Sequence, residues 1–294
     1  MNKPFMKYEQ FRIREGKKLN LKKHPTDFTG DYRDKAEAKA DLARNVERLA
    51  ELQEVLYAQN KYALLIVLQA MDAAGKDGLI SHVMSGINPQ GVQVVSFKQP
   101  SAEELEHDFL WRISKNLPER GKIGVFNRSH YEDVLVVRVH PEIIQSQPLP
   151  DEVKNDKNFW EKRFEQIRSF EKHLVENGTH ILKFFLHLSR DEQKKQFLER
   201  IDTPEKNWKF VDSDLTERGF WDDYMRAYEE AIAATSTDDA PWYVLPADKK
   251  WFTRTAASEI IRAKLESMDL RYPTVSDERI KRLREAKKIL ESES

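Results

Sequence analysis

Residues 62–78, YALLIVLQAMDAAGKDG, decide the fold of this chain. The first part, Tyr62 to Leu68, is a short and almost unbroken apolar run, typical of a strand buried on both faces in a parallel sheet. Small residues follow, then Lys76 and a second amphipathic segment. A strand that turns through small residues into a helix presents backbone N–H groups and a positive helix end to an anion. The stretch therefore predicts a phosphate-binding loop.

The predicted loop departs from the usual P-loop pattern at two positions. Ala70 stands where the pattern has its first glycine, and Asp77 stands where it has serine or threonine. Asp72 and Asp77 together place two carboxylates beside the expected phosphate. Mg²⁺ favours one or two such ligands plus phosphate oxygens, so we assign both as ligands for Mg²⁺ or Mn²⁺. A tight turn whose lysine is merely on the surface is the alternative interpretation.

Length, charge and composition limit what the chain can be. Its 294 residues can form one α/β domain or two, with a large core. The formal net charge is −1, so overall charge favours no nucleic acid partner. Cysteine is absent, which excludes disulfides, thiolate catalysis and cysteine-ligated zinc. Because no apolar run reaches the length of a membrane span and the first residues lack a signal-peptide core, we expect no membrane association and a cytoplasmic location.

Strand and helix patterns alternate along the chain, which is typical of a parallel sheet between helices. The five predicted strands cover residues 62–68, 92–97, 122–126, 181–188 and 242–245. The predicted helices cover residues 34–59, 159–176, 189–200 and 216–234, and a further helix begins at Ser101 and carries His107, Trp111 and Arg112. The pair of helices within 189–234 is longer than a crossover needs, and such an excursion is typical of a lid in phosphoryl-transfer folds.

We divide the chain into three parts on this basis. Residues 1–33 form a basic arm of irregular structure, since residues 1–35 hold ten Lys/Arg against five Asp/Glu. Residues 34–275 form the α/β domain, with a lid at about 189–234. Residues 276–294 form a charged C-terminal helix on the surface or in an oligomer contact.

Seven motifs, in order, allow a resemblance to be stated. They are AMDAAGKDG, INPQGV, SFKQPS, FNRSHYE, LKFFLHLSRDEQKKQFLER, NWKF and DAPWYVLPADKKWF. From about residue 8 to residue 273 the chain resembles the polyphosphate kinase 2 family, and most closely its third class, which phosphorylates both AMP and ADP. The resemblance implies a P-loop kinase fold like that of thymidylate kinase, a helical lid, Mg²⁺, inorganic polyphosphate as donor and an adenine or guanine nucleotide as acceptor. We also expect a homo-oligomer.

The resemblance also implies roles for individual residues. Catalysis is expected of Asp72, Lys76, Arg128 and Glu132. Phosphate or polyphosphate binding is expected of Ala73, Ala74, Gly75, Lys76, Asp77, Gly78, Arg190, Lys194 and Arg200, and the matching lid segment also holds Lys195, Lys206 and Lys209. Nucleotide binding is expected of Asn127 and Arg128. Analogy with the fold, rather than a family motif, adds Lys98 and Arg112 after the second strand, with His107 and Trp111 beside them.

Plainer interpretations accompany several of these assignments. Arg128 is also a candidate structural partner of Glu132, one helical turn further on. Residues 189–218 hold seven Lys/Arg against eight Asp/Glu, so this segment forms a polyanion site only if its helices segregate the two signs. His130 invites a phosphohistidine mechanism, but we expect it to pack. The aromatic residues of 208–224 fit a helix core better than a base-stacking platform.

The acceptor site raises a specific hypothesis. Other classes of the family carry Asp where this chain has Asn127, and an amide there removes a negative charge near the acceptor phosphate. Glu132 offers a carboxylate one turn further on. We therefore expect the site to accept two phosphate positions and to take AMP to ADP and ADP to ATP.

Two other functions stay open at this point. An ATP-dependent nucleoside monophosphate kinase would use the same loop with ATP under the lid. A non-catalytic scaffold would bind phosphate chains or RNA through the basic arm, although Asp72 and Asp77 would repel a polyanion unless Mg²⁺ lay between them.

Overall fold

The computed structural model describes residues 7–293. Its strands are β1 (Arg12–Ile13), β2 (Ala63–Gln69), β3 (Val92–Ser96), β4 (Ile123–Asn127), β5 (Thr179–His187) and β6 (Trp242–Pro246). They form one sheet in the order β1-β6-β5-β2-β4-β3. The five parallel strands predicted from the sequence are confirmed, but the sheet has six strands rather than five, because β1 pairs antiparallel with β6. A two-residue strand is too short to produce a sequence pattern, and the arm that was expected to be irregular supplies it.

Helices cover both faces of the sheet. They are α1 (Lys35–Gln59), α2 (Lys76–Val83), α3 (Ala102–Leu105), α4 (Trp111–Ser114), α5 (Val136–Val139), α6 (Glu142–Ser146), α7 (Asp151–Lys154), α8 (Phe159–Glu176), α9 (Arg190–Asp202), α10 (Ser213–Gly219), α11 (Trp221–Thr235), α12 (Lys250–Ser267) and α13 (Asp277–Ser292). Short 3₁₀ turns lie at Tyr8–Phe11, Leu21–Lys23, Pro89–Gly91, His130–Val134 and Pro204–Lys209. Among residues 7–293, no helix combines the length and the apolar character that crossing a bilayer requires.

The central strand β2 explains why the fold is built around residues 62–78. All seven of its residues are buried, and it pairs with β4 on one side and β5 on the other. One apolar core lies between the sheet and α1, α2 and α12, and a second lies between the sheet and α8 and α11. An apolar run without alternation is what a strand covered on both faces requires.

Several predicted elements are confirmed with their caps. The Asp34 carboxylate accepts hydrogen bonds from the N–H groups of Ala36 and Glu37, which begins α1 where the sequence predicted. The helix α8 has the predicted bounds, and the chain leaves it through Gly178 at φ +90°. The helix α13, Asp277–Ser292, lies in the C-terminal segment and is almost wholly exposed. Residues 1–6 of the basic arm and residue 294 of the C-terminal segment lie outside the described residues.

Two helix predictions are wrong, and one helix was missed. The predicted helix over residues 216–234 is divided at Phe220 into α10 and α11. Ser101 does open a capping box with Glu104, but α3 is a single turn, and Trp111 and Arg112 lie on the separate turn α4. The break occurs because the Asp108 carboxylate accepts from the Leu110 N–H, which starts a new turn after His107. The long helix α12 was not predicted at all. It is buried around most of its circumference and many of its buried residues are polar, so it lacks a clear amphipathic stripe.

A charged side chain lies inside the second core. Lys183 on β5 is fully buried, and its ammonium group donates to the carboxylate of Glu171 on α8, to the Tyr131 hydroxyl (3.0 Å) and to the Thr235 carbonyl (2.8 Å). The Tyr131 hydroxyl also donates to Glu171 (2.8 Å). This network joins β5, α8, α11 and the turn that follows β4, and every donor of the ammonium group is used.

Replacing one member of this pair should destabilise the protein strongly. Lys183→Met leaves the Glu171 carboxylate buried without its partner, so we expect the free energy of unfolding to fall by about 3–5 kcal/mol. The double variant Lys183→Met/Glu171→Leu removes both charges and should recover most of that loss. Urea unfolding of the three proteins measures the difference, and a single variant as stable as the parent protein would show that the pair contributes nothing.

Candidate active site

The loop after β2 has the backbone of a phosphate cradle. It turns through two left-handed residues, Ala73 at φ +66° and Gly75 at φ +99°, before α2 begins at Lys76. The first N–H groups of a helix have no partners inside the helix and so remain available to an anion. The Lys76 side chain folds back over the loop and donates to the Ala70 carbonyl (2.9 Å). Burial lowers the pKa of the Lys76 ammonium, against the opposing effect of Asp72.

A cavity of about 640 Å³ opens above this loop, and we call it the charged cavity. The loop, the ends of β3 and β4, the segment from α9 to the 3₁₀ turn at Pro204–Lys209, and α12 form its wall. Its acidic lining residues are Asp72, Asp77 and Glu199. Its basic lining residues are Lys76, Lys98, Arg128, Arg200, Lys206, Lys209, Lys250 and Arg254. The wall is therefore strongly positive although the chain as a whole is nearly neutral.

Only some of the predicted lid cations reach the charged cavity. Arg200 lies in its wall, where it donates to the Lys209 carbonyl (3.1 Å) and lies 3.8 Å from the Asp214 carboxylate. Arg190 and Lys194 are exposed and are not part of the wall. Lys206 and Lys209 also lie in the wall, together with one acid of the same segment, Glu199, which accepts a hydrogen bond from Lys206.

Sequence analysis missed two cations of the charged cavity. Lys250 and Arg254 lie one turn apart at the start of α12, and both contribute to the wall. Lys250 donates to Gln196 on α9, and its side chain packs over Gly75 of the loop. A guanidinium nitrogen of Arg254, Nε, is buried without a partner among residues 7–293. The only signal in the sequence was a pair of cations four residues apart after the last predicted strand.

The two loop carboxylates each have one oxygen engaged. Asp72 Oδ1 accepts from Arg128 Nη2 (2.9 Å), and Asp77 Oδ1 accepts from Asn127 Nδ2 (2.7 Å). Asn127 Oδ1 is buried and, in the described part of the chain, has no donor. Residues 7–293 contain no cluster of three or more His, Asp or Glu that would hold a metal unaided. The free carboxylate oxygens and the orphaned amide oxygen fit a hard divalent ion whose coordination is completed by phosphate oxygens.

Arg128 lies at the centre of the site. It follows β4 in a left-handed conformation (φ +64°), which is uncommon for a residue with a side chain and typical of functional positions. Its guanidinium lies between Asp72 (2.9 Å) and Glu132 (3.4 Å). Burial lowers the pKa of Arg128, but the carboxylates of Glu132 and Asp72 raise it, with a net increase. The structural pairing with Glu132 therefore exists, and the same guanidinium also reaches the loop.

A second cavity of about 400 Å³ adjoins the first, and we call it the apolar cavity. The two share Phe97, Lys98 and Arg128 in their walls. The other apolar lining residues are Pro100, Leu105, Phe109, Ile113, Val136, Val137 and Ile143. A concave and mostly apolar site with a few polar groups is the usual form of a small-molecule pocket.

Lys98 and Arg112, which were expected to bind a nucleotide, both line the apolar cavity. Arg112 donates to the Lys98 carbonyl (2.9 Å) and lies 3.4 Å from Glu104. His107 and Trp111 stack on one another at 3.9 Å and do not line either cavity.

His130 is 1% exposed, and its Nε2 lies 3.4 Å from the Glu171 carboxylate. It borders the apolar cavity and not the charged one. Its position on the Glu171 side of the turn agrees with a packing role.

A parallel sheet whose central strand ends in a phosphate cradle, with a cation-lined cavity at the carboxyl ends of the strands, defines a P-loop kinase. The sequence matches the polyphosphate kinase 2 (PPK2) family model over residues 32–273. The chain belongs to the polyphosphate kinase 2 family.

Individual relatives agree with this family. An ADP-polyphosphate phosphotransferase of Rhodopseudomonas palustris is 56% identical, over 95% of this chain and 96% of that protein. An AMP/ADP-polyphosphate phosphotransferase of Meiothermus ruber is 46% identical, over 90% of this chain and 95% of that protein. The crystal structure of polyphosphate kinase 2 from Arthrobacter aurescens TC1 superimposes with a TM-score of 0.85 at 43% identity and covers 94% of each chain.

The carboxylate of Asp77 should contribute to divalent metal affinity. Asp77→Asn keeps an oxygen for the Asn127 hydrogen bond but removes the negative charge, so we expect Mn²⁺ to bind about tenfold more weakly in the presence of tripolyphosphate. Electron paramagnetic resonance of free Mn²⁺ measures the affinity. Asp151→Asn, an exposed position outside both cavities, is the matched control. Equal Mn²⁺ affinities in the two variants would contradict a ligand role for Asp77.

Proposed function

We propose that this protein is a polyphosphate-dependent nucleotide phosphotransferase that moves the terminal phosphoryl group of inorganic polyphosphate to AMP and to ADP. The observation that carries the proposal is the meeting of two unlike cavities at Phe97, Lys98 and Arg128. A strongly positive cavity suits a polyanionic donor, and an apolar cavity suits a nucleoside. The activities named for the relatives support the same donor and acceptors.

The composition of the charged cavity favours polyphosphate over ATP as donor. Eight cations line it, and Phe97 is the one aromatic residue among its described lining residues. The adenosine of an ATP donor would need apolar or aromatic walls, which this cavity lacks at its far side. A chain of phosphates needs only a path of cations, and Arg200, Lys206, Lys209 and Lys250 extend that path away from the loop.

The apolar cavity suits the acceptor nucleoside. We propose that the adenine or guanine base enters between Phe97, Phe109 and Ile143, with its phosphates directed toward Lys98 and Arg128 at the junction. An acceptor held there points its terminal phosphate into the charged cavity. Donor and acceptor then approach one another across the Arg128 guanidinium.

Phosphoryl transfer needs positioning and positive charge more than covalent chemistry. When bound, Mg²⁺ or Mn²⁺ would neutralise phosphate charge, and Asp72, Asp77 and the free oxygen of Asn127 are the groups we propose to hold it. Lys76 at the mouth of the loop and Arg128 stabilise charge on the transferred group. We propose direct transfer, and the position of His130 supports this, because it borders the apolar cavity and not the charged one and its Nε2 lies 3.4 Å from the Glu171 carboxylate.

The proposal extends to both phosphorylation steps. The Asn127 amide brings no negative charge to the junction, and the Glu132 carboxylate lies 3.4 Å from Arg128 on the acceptor side. An acceptor phosphate can then occupy either of two positions along the guanidinium. We propose that AMP and ADP differ in which of these positions their terminal phosphate takes.

The lid segment and the C-terminal helix each have a proposed role. We propose that residues 189–234 act as a lid that closes on polyphosphate, with Gln193 as an anchor, since its amide donates to the Asp72 carbonyl (3.1 Å). The exposed apolar residues Leu283, Ile289 and Leu290 of α13 support a homo-oligomer. A cytoplasmic location agrees with the proposed substrates.

A donor test separates the two kinase functions. Incubated with AMP, Mg²⁺ and polyphosphate as the only donor, the protein should form ADP first and then ATP, because both acceptors fit the junction. Chromatography of the nucleotides over time measures both steps, and AMP with ATP as the only donor is the parallel control. Product formation with ATP but not with polyphosphate would instead support a nucleoside monophosphate kinase. ADP without any ATP, together with failure on added ADP, would rule out the second step.

Cations in the wall of the charged cavity should contribute more to polyphosphate binding than cations outside it. Lys250→Gln removes a charge from the wall, and the loss of one charge-assisted contact of about 1.5–3 kcal/mol should raise the KM for polyphosphate about tenfold or more. Lys194→Gln is the matched control on the exposed side of α9 and should leave the KM unchanged. Steady-state kinetics with a defined chain length measure both. Equal effects would mean that the charged cavity is not the donor path.

A further inference from the structure

Asp133 is a half-buried carboxyl group that the proposed mechanism does not use. It lies on the 3₁₀ turn His130–Val134 after β4 and lines the apolar cavity between Arg112 and Val136. Within residues 7–293, no group donates a hydrogen bond to it and no cation forms an ion pair with it. A carboxyl group that has no partner in the protein and lines a cavity keeps its oxygens available to a ligand in that cavity.

The neighbouring cations are held by other groups. The Arg163 guanidinium from α8 lies over the ring of Phe109 at 4.0 Å and near that of Phe159 at 5.1 Å. Arg112 from α4 donates to the Lys98 carbonyl and pairs with Glu104 of α3. Both cations therefore act on Asp133 from a distance and neither saturates its oxygens.

The other surroundings of Asp133 differ from side to side. It also borders a cavity lined by Glu104, Glu106, His107 and Asp108, so the acids of α3 and of the segment before α4 lie on that side. The helices α5 and α6 present apolar or neutral residues to the cavity: Val136, Val137, Ile143 and Ser146. Glu132 is the neighbouring acid on the same turn. On the far side, the turn contacts Glu171 of α8 through His130 and Tyr131, and Lys183 of β5 offsets that charge.

We propose that the Asp133 carboxyl group binds the Watson–Crick edge of the acceptor's purine base and determines which base the protein accepts. This inference rests on the proposed function, because it takes the apolar cavity to be the acceptor site. It names Asp133 as a specificity-determining residue.

The two protonation states of a carboxyl group match different bases. A neutral carboxyl has one O–H donor and one carbonyl acceptor side by side. Adenine presents an acceptor, N1, next to the N6 amino donor, so it pairs with the neutral form. An ionised carboxylate offers two acceptors, and guanine presents two adjacent donors, N1–H and the N2 amino group. Adenine N1 would instead face a carboxylate oxygen with no proton between them.

Burial puts this choice within the physiological range. The pKa of Asp133 is raised to about 7, mainly by burial. Of the nearby charges, Arg163 and Arg112 lower this pKa and Glu132 raises it. The neutral form predominates below that pKa, so acidic conditions favour adenine. The ionised form predominates above that pKa, so the affinity for guanine increases relative to adenine as the pH rises.

The test is equilibrium binding of AMP and of GMP to the full chain without polyphosphate, by calorimetry at about pH 6 and about pH 8. The ratio of the two affinities is the readout, because both nucleotides carry the same phosphate group and its ionisation cancels. We expect the AMP preference to fall about tenfold or more between the two pH values, since the neutral fraction of Asp133 falls from about nine-tenths to about one-tenth.

The variant Asp133→Asn sharpens the test. An amide is a donor and an acceptor at every pH, as the neutral carboxyl is, so the variant should keep the AMP preference seen at low pH across the whole range. Asp151→Asn is the matched control and should follow the unmodified protein. Circular dichroism checks that each variant is folded, and the pH course of the unmodified protein stands without them.

The outcomes distinguish this inference from the proposed function. Binding of both nucleotides with a ratio that does not change with pH would overturn the role of Asp133 alone. An Asp133→Asn protein whose ratio falls with pH like that of the parent would do the same. Failure of the protein to bind either nucleotide would overturn the proposed function as well.

Discussion

The buried ion pair between Lys183 and Glu171 is the interaction on which the rest of the site depends. It lies under the turn after β4 and holds that turn through the Tyr131 hydroxyl. Arg128, Glu132 and Asp133 are carried by the same few residues of chain. An apolar pair of similar volume would fill the space, but it would not orient the tyrosine hydroxyl. The polar network therefore couples the second core to the position of the guanidinium between the two cavities.

The separation of charge across the cavities follows from the sheet. The carboxyl ends of parallel strands meet at one edge, where the loop after β2 and the turn after β4 come together. Cations from α9, the 3₁₀ turn at Pro204–Lys209 and α12 converge on this edge from above. The one-turn helices α3 to α6 enclose an apolar space beside it. A protein with a net charge of −1 can thus present a strongly positive cavity, because eight of its cations line that cavity against three of its acids.

The left-handed backbone of Arg128 is part of this arrangement. Such a conformation costs on the order of 1–3 kcal/mol for a residue with a side chain, and it persists only where the surroundings impose it. Here the Arg128 N–H donates to the Leu68 carbonyl (3.0 Å), and its guanidinium is drawn to Asp72 on the adjacent loop. The turn thereby faces both the phosphate loop and the apolar cavity.

The sequence by itself determined the local and contiguous features. An unbroken apolar strand, a small-residue loop with Lys76 and the start of α1 at Asp34 each depend on neighbouring residues, so they were predictable. The tertiary structure alone decided which lid cations face the loop, because helix orientation depends on packing between distant segments. It also decided that α12 brings Lys250 and Arg254 to the site, since a helix buried on most sides shows no clear periodicity. The position of Asp133 in the wall of the apolar cavity belongs to the same class, because it depends on four helices that enclose this cavity and not on its neighbours in the chain.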